Sequence, residues 1–187
     1  AEAIEAGKEI ERIYIRKGGD SQLLNDLRDL CLRHRLRVQE VPVEKLNRLT
    51  RGNHQGAVAQ IAAIGYVGLD DLLERVPDDE TPLLVVFDGV TDVRNFGAIA
   101  RSAECAGAHG LVTPLKNSAP VNGEAIRASA GALSNIPVCR VGSIRTTLLT
   151  LKGEGFQVVA ATEKSRKLLY DADLRRPTAI VMGAEDK

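Results

Sequence analysis

Apolar residues recur along this chain at two spacings, and the changes from one to the other mark out strands and helices. Ile10-Glu11-Arg12-Ile13-Tyr14-Ile15 alternates in twos, the mark of a half-buried strand. Over 21–33, Leu23, Leu24, Leu27, Leu30 and Cys31 recur at helical spacing, with Asp20 or Ser21 as the cap. A helical start at 1–7, a strand at 37–41, a helix at 43–49 and a strand at 57–64 complete a small α/β unit. Residues 66–81 are acidic, contain Pro77 and hold a short helix at 69–75. Within them 67–81 reads as a linker between an amino-terminal domain (1–66) and a second domain (82–187).

Leu83-Leu84-Val85-Val86-Phe87, directly after Pro82, is a continuous apolar run of the kind found in strands covered on both faces. Further strands near 110–112, 137–140, 156–161 and 178–182 alternate with helices near 98–106, 122–128 and 143–152. That alternation predicts a mainly parallel sheet with helices on both faces. The first of these helices is expected to begin near Asn95 or Phe96, and in the plainest reading Asn95 is its cap. No internal repeat or low-complexity tract is visible.

Charge changes this picture only locally. Lys plus Arg and Asp plus Glu both number 25, so no global basic charge announces a nucleic-acid partner. The distribution is uneven: 28–51 holds seven basic and three acidic residues, and 94–145 holds six and two, so each stretch carries +4. Such stretches suit an RNA face or a solvated surface. Cys31, Cys105 and Cys139 are odd in number and lack CxxC or Cys/His spacing. They read as small buried hydrophobes in a reducing cytoplasm, with neither a zinc site nor a disulfide framework. No apolar stretch is long enough to span a bilayer and no signal-peptide pattern opens the chain. A cytoplasmic protein without a metal or membrane partner is expected.

The candidate chemistry lies in four short segments. Asn95-Phe96-Gly97 is followed by Arg101, just after the buried strand. Ala119-Pro120-Val121 precedes Arg127-Ala128-Ser129-Ala130-Gly131-Ala132-Leu133, in which small residues allow close backbone approach and Gly131 permits an otherwise disfavoured turn. Ala179-Ile180-Val181-Met182-Gly183-Ala184-Glu185 delivers a glycine and a carboxylate to a strand end, as Ala161-Thr162-Glu163 does at the strand before it. Arg51-Gly52-Asn53-His54-Gln55-Gly56 is a polar turn in the first unit. A G-x-G-x-x-G turn and a Walker phosphate loop are both absent, which removes the nicotinamide dehydrogenase and P-loop readings.

Taken together, these segments resemble the SpoU (TrmH-like) branch of the SPOUT methyltransferases, of the ribosomal RNA type with an amino-terminal substrate-binding domain. The resemblance implies a trefoil-knot catalytic domain that methylates ribose 2′-hydroxyls in RNA with S-adenosylmethionine. The most fitting substrate is a guanosine of 23S ribosomal RNA, because minimal transfer-RNA members lack the Arg51–Gly56 type of domain. By resemblance, Asn95, Arg101 and Glu185 are catalytic. Ala161, Thr162, Gly183 and Ala184 bind the cofactor, and Arg51, Asn53, His54, Gln55, Arg94, Arg127 and Ser129 bind RNA. The resemblance also implies a homodimer. The family pattern continues past Glu185 into a segment that completes the knot, so that carboxy-terminal segment is expected to be missing here, either as an omitted mobile tail or as a true truncation. A non-catalytic RNA-binding relative, or an inactive truncated form, is the alternative function.

Overall fold

A computed structural model describes residues 4, 10–19 and 21–184. Apart from Ile4, the expected helical start at 1–7 lies outside these residues, as do the alternative cap Asp20 and the whole of Glu185. The chain divides into two compact units, Ala1–Ala63 and Ile64–Lys187.

The first unit is built on a three-stranded sheet in the order β2-β1-β3. β1 (Ile10–Arg16) pairs in parallel with β2 (Val38–Val41) and antiparallel with β3 (Ala57–Ile61). Between the strands run α1 (Gln22–Arg33) and α2 (Val43–Leu49). Ile13 and Ile15 of β1 pack with Leu24 and Cys31 of α1 on one face, while Tyr14 packs with Val41 and Leu46 on the other. The alternation seen in β1 therefore serves two small cores, one on each side of the sheet. β3 ends at Ile61, short of the expected Ile64.

The second unit carries a six-stranded, wholly parallel sheet in the order β4-β7-β6-β5-β9-β8. Its strands are β4 (Tyr66–Val67), β5 (Leu83–Asp88), β6 (Gly110–Pro114), β7 (Val138–Val141), β8 (Gln157–Ala161) and β9 (Thr178–Gly183). Its helices are α3 (Leu69–Glu74), α4 (Val93–Cys105), α5 (Gly123–Ala128) and α6 (Ile144–Gly153), with short 3₁₀ turns at Ala132–Ser134 and Leu169–Asp171. β5 is buried on both faces, as its uninterrupted apolar run requires. Val85 and Phe87 join α4 and α5 in one core, and Leu84 and Val86 join Leu72 of α3 and Leu151 of α6 in the other.

Two details depart from the sequence reading. The stretch 66–74, read mostly as linker, holds the expected helix, whose Leu72 is fully buried, but also supplies the edge strand β4, paired to β7 at Tyr66–Val138. A strand of two residues is too short to show a period. Cys105, expected to be buried, is exposed, whereas Cys31 and Cys139 are buried. Burial, with Asp70 and Asp71 nearby, pushes the Cys139 thiol up to about 11, so it behaves as an inert hydrophobe.

Candidate functional site

The sheet order places β9 between β5 and β8, so three strand ends remote in sequence meet at one carboxyl edge. Asp88 stands in register with Gly183, and Ala161 with Met182. Open parallel sheets bind ligands at this edge, where loops diverge and backbone groups are left unpaired. Here the edge holds a cleft of about 440 Å³, bounded by the turn from Gly89 to Asp92, by Asn95, Ala98 and Ile99 of α4, and by Met182, Gly183 and Ala184.

α4 enters the cleft wall two to three residues earlier than expected, and its cap is Asp92 rather than Asn95. The Asp92 carboxylate accepts hydrogen bonds from the backbone N–H of Arg94 and of Asn95, both at 2.9 Å. These are two of the first-turn donors that no helical carbonyl can reach. Asn95 therefore sits inside the first turn rather than at the cap. The missed signal was an Asp immediately before the helical run. Asp92→Ala should lower the stability of the second unit by about 1 kcal/mol. Asp92→Asn, which keeps an acceptor oxygen, should recover most of that loss; thermal unfolding of the two variants measures both.

Gly97 explains the small residues around this motif. A Cβ at Gly97 would lie 2.5 Å from the Ala128 Cβ and 2.9 Å from the Ser129 nitrogen, so α4 and α5 approach at a distance only glycine allows. Gly131, as expected, holds a left-handed backbone at φ +90°, just after α5. Ser129, expected from the resemblance to bind RNA, is fully buried. Its hydroxyl donates to the Ile126 carbonyl at 2.9 Å and accepts from the Leu133 N–H at 3.3 Å. In this chain it ties α5 to the following 3₁₀ turn.

The structure brings Asn95, Gly183 and Ala184 together at the cleft. Ala161 and Thr162 stand at the neighbouring strand end and are exposed. Arg94 and Arg127 are exposed on α4 and α5. Arg101 does not line the cleft. It lies three residues beyond Ala98, exposed, and makes no ion pair among the described residues. A second hollow of about 540 Å³ opens at the same edge beyond Asp88 and Gly89, and Lys116, Arg145 and Lys152 border it. None of these three cations is ion-paired among the described residues, so they stand unneutralised in the hollow beside the Asp88 carboxylate.

The remaining candidates lie in the first unit, on the loop from α2 to β3. Gly56 N–H donates to His54 Nδ1 at 3.0 Å, so Nδ1 carries no proton and Nε2–H donates to Asn47 Oδ1 at 2.9 Å. Both ring nitrogens of His54 are thus engaged internally. Asn53 Oδ1 accepts from the Gln55 N–H at 3.4 Å. Arg51 and the Gln55 side chain are exposed.

Comparison with known proteins bears on both units. The profile of the SpoU rRNA Methylase family matches residues 82–187, and that of the RNA 2′-O ribose methyltransferase substrate-binding domain matches residues 1–67. The chain is 34% identical over 183 residues to the 23S rRNA (guanosine-2′-O-)-methyltransferase RlmB of Pseudomonas aeruginosa, covering 96% of this chain and 73% of that protein. Its fold is similar to that of the SpoU methyltransferase AviRb from Streptomyces viridochromogenes in complex with AdoMet, with a TM-score of 0.58 and 26% identity over 99% of this chain and 69% of that one. An AdoMet-bound rRNA methyltransferase from Sinorhizobium meliloti gives a TM-score of 0.53 and 25% identity, covering 98% of this chain and 67% of that one.

Proposed function

The chain belongs to the SpoU rRNA Methylase family, and from that premise we propose that it methylates the ribose 2′-hydroxyl of a guanosine in 23S ribosomal RNA, using S-adenosylmethionine. The observation that carries this reading is the meeting of the α4 motif with the Gly183 strand end across a single cleft. Residues 1–66 serve as the RNA-binding part and 82–187 as the methyl-transferring part. The guanosine and 23S assignments rest on the relative from Pseudomonas aeruginosa, whose name states that substrate. The reading includes a homodimer acting in the cytoplasm. Among the described residues, no helix is long and apolar enough to cross a membrane.

The cleft fits the cofactor in size, falling in the range of roughly 300–1,000 Å³ usual for small-molecule sites. A Cβ built on Gly183 would meet nothing within 4 Å, so the strand-end backbone faces open space. Ala161, Thr162, Gly183 and Ala184 are the residues that would hold it. When bound, the cofactor supplies an activated methyl group.

The protein then has to align the 2′-hydroxyl and stabilise the oxygen as its proton leaves, and positioning of this kind lowers a barrier by several kcal/mol. Arg101 takes the role of clamp on the target phosphate and of positive charge beside the forming alkoxide. A guanidinium keeps its proton in proteins, so it is not the base. The proton passes to Glu185 or to water. Asn95 orients the arginine.

The test is transfer of labelled methyl groups from S-adenosylmethionine to protein-free 23S rRNA, followed by alkaline hydrolysis. One linkage resistant to alkali, at a guanosine, is the expected result. RNA binding without methyl transfer would instead support a non-catalytic relative.

A further inference from the structure

The hollow of about 540 Å³ beyond Asp88 and Gly89 is not used by the chemistry proposed for the cleft. One of its walls is α6, which contributes Arg145, Leu149 and Lys152. These positions recur at i, i+4 and i+7 and so form one stripe along the helix. A neighbouring stripe of Ile144, Leu148 and Leu151 packs with Leu84 and Val86 in the core. α6 is therefore anchored without the 145–149–152 stripe, and Leu149 remains 62% exposed. A leucine set between two cations on a concave wall is not accounted for by packing.

The other wall is the loop after β6, with Pro114, Lys116 and Asn117. This loop is held at both ends. Leu115 N–H donates to the Val141 carbonyl at 2.7 Å, Ala119 N–H donates to the Val90 carbonyl at 2.9 Å, and the Thr113 and Ser118 hydroxyls bond across its base. At its tip Asn117 has a φ of +57°, a left-handed backbone that a Cβ disfavours. Strained residues fixed by surrounding bonds gather at ligand sites. Lys116, Arg145 and Lys152 make no ion pair and no hydrogen bond among the described residues. Against these three cations the hollow sets a single carboxylate, that of Asp88.

We propose that this hollow seats the nucleotide next to the methylated one, with Lys116 and Arg145 holding its phosphate from opposite walls and Leu149 supporting its base. The inference rests on the RNA-methylation reading, yet these three residues lie outside the motif segments that suggested it. Gly89 lines both the hollow and the cleft, so the two are continuous and an RNA strand with one ribose in the cleft reaches the hollow with its neighbour. Cations converging on a concave wall concentrate anions there, and a guanidinium can take two phosphate oxygens at once. Unpaired RNA is commonly bound with its bases splayed out onto side-chain surfaces. Lys152 adds charge along the same stripe, and Asp88 offers an acceptor for a sugar hydroxyl or a base amino group. An acidic peptide would satisfy the cations but would leave the continuity with the cleft without a purpose.

Neutralising the hollow tests the proposal. In the whole protein, Lys116→Gln and Arg145→Gln should each raise the KM for a protein-free 23S rRNA transcript about five- to tenfold, with kcat and S-adenosylmethionine affinity unchanged. The slope of log KM against log salt should become shallower by about 0.7 for each cation removed, an effect that a merely structural role would not produce. Both side chains are exposed, so the melting temperature should not move. Leu149→Ser, which removes the apolar support and no charge, should raise KM and leave the salt slope as it is. Arg75→Gln, which removes an exposed cation at the end of α3 outside the hollow, should change neither. An unchanged KM in the two charge variants or in Leu149→Ser, or an equal shift in Arg75→Gln, overturns the nucleotide site and leaves the methylation reading standing. A wild-type protein that neither binds nor methylates the transcript overturns that reading, and the site with it.

Discussion

Replacing Arg101 by alanine is expected to lower kcat for RNA methylation by about 10²–10³-fold while leaving S-adenosylmethionine affinity unchanged. The expectation follows from position and chemistry together. Arg101 lies on the exposed side of α4, beyond the cofactor cleft, so its loss removes nothing from the residues that would hold the cofactor. Its side chain has no ion-pair partner among the described residues and is available to an incoming phosphate. A guanidinium offers a planar fork of donors that a phosphate can meet with two hydrogen bonds, which the ammonium of lysine cannot reproduce. Arg101→Lys should therefore restore only a small part of the rate. Single-turnover methylation gives the rate, and calorimetric titration with S-adenosylmethionine gives the affinity. Equal losses in both would defeat the clamp, because they would place Arg101 in the cofactor site instead.

The second large effect concerns Phe96. Its ring stacks on Phe87 of β5 with centroids 4.3 Å apart and planes inclined by 26°, and both side chains are fully buried. This contact fixes the start of α4 to the central strand, one residue from Asn95. Phe96→Ala should destabilise the second unit by about 3–5 kcal/mol, the sum of lost apolar transfer and the cavity left behind. The melting temperature should fall by roughly 10–20 °C. Phe96→Leu keeps most of the volume and should cost less than about 1.5 kcal/mol. Thermal and urea unfolding of the two variants tests the argument. Similar losses in both would mean that the stacked pair, and not the filled volume, holds the helix.

The two effects are independent in origin although the residues are five apart on one helix. Phe96 faces the sheet and Arg101 faces water, so one variant acts through folding and the other through the transition state. A soluble, folded Arg101→Ala protein is the condition for reading its kinetics, and the exposure of Arg101 supplies it.

Much of this protein is legible in its residue order. The parallel sheet follows from the continuous apolar run of β5 and from the alternation of strands and helices after it, because burial on both faces leaves no polar positions in a strand. The family motifs around Asn95, Gly131 and Gly183 could be read as well, since each needs particular residue types at fixed spacing. The cap of α4 was misplaced because Asp92 and Asn95 both suit that role, and only the hydrogen-bonding geometry chooses between them. That Ser129 is buried could not be read from the sequence, because a small hydroxyl residue carries no sign of its own burial; α4 and α5 approach closely beside it at Gly97. The edge strand β4 is two residues long, and a pair of residues has no period, so only its partner β7 makes it a strand. The meeting of β5, β9 and β8 at one cleft is likewise a matter of strand order, which local patterning does not encode. Sequence alone determined every element long enough to show a period and the chemistry available on them; tertiary structure alone decided the edge strand β4 and which residues share a surface, because that depends on contacts between segments far apart in the chain.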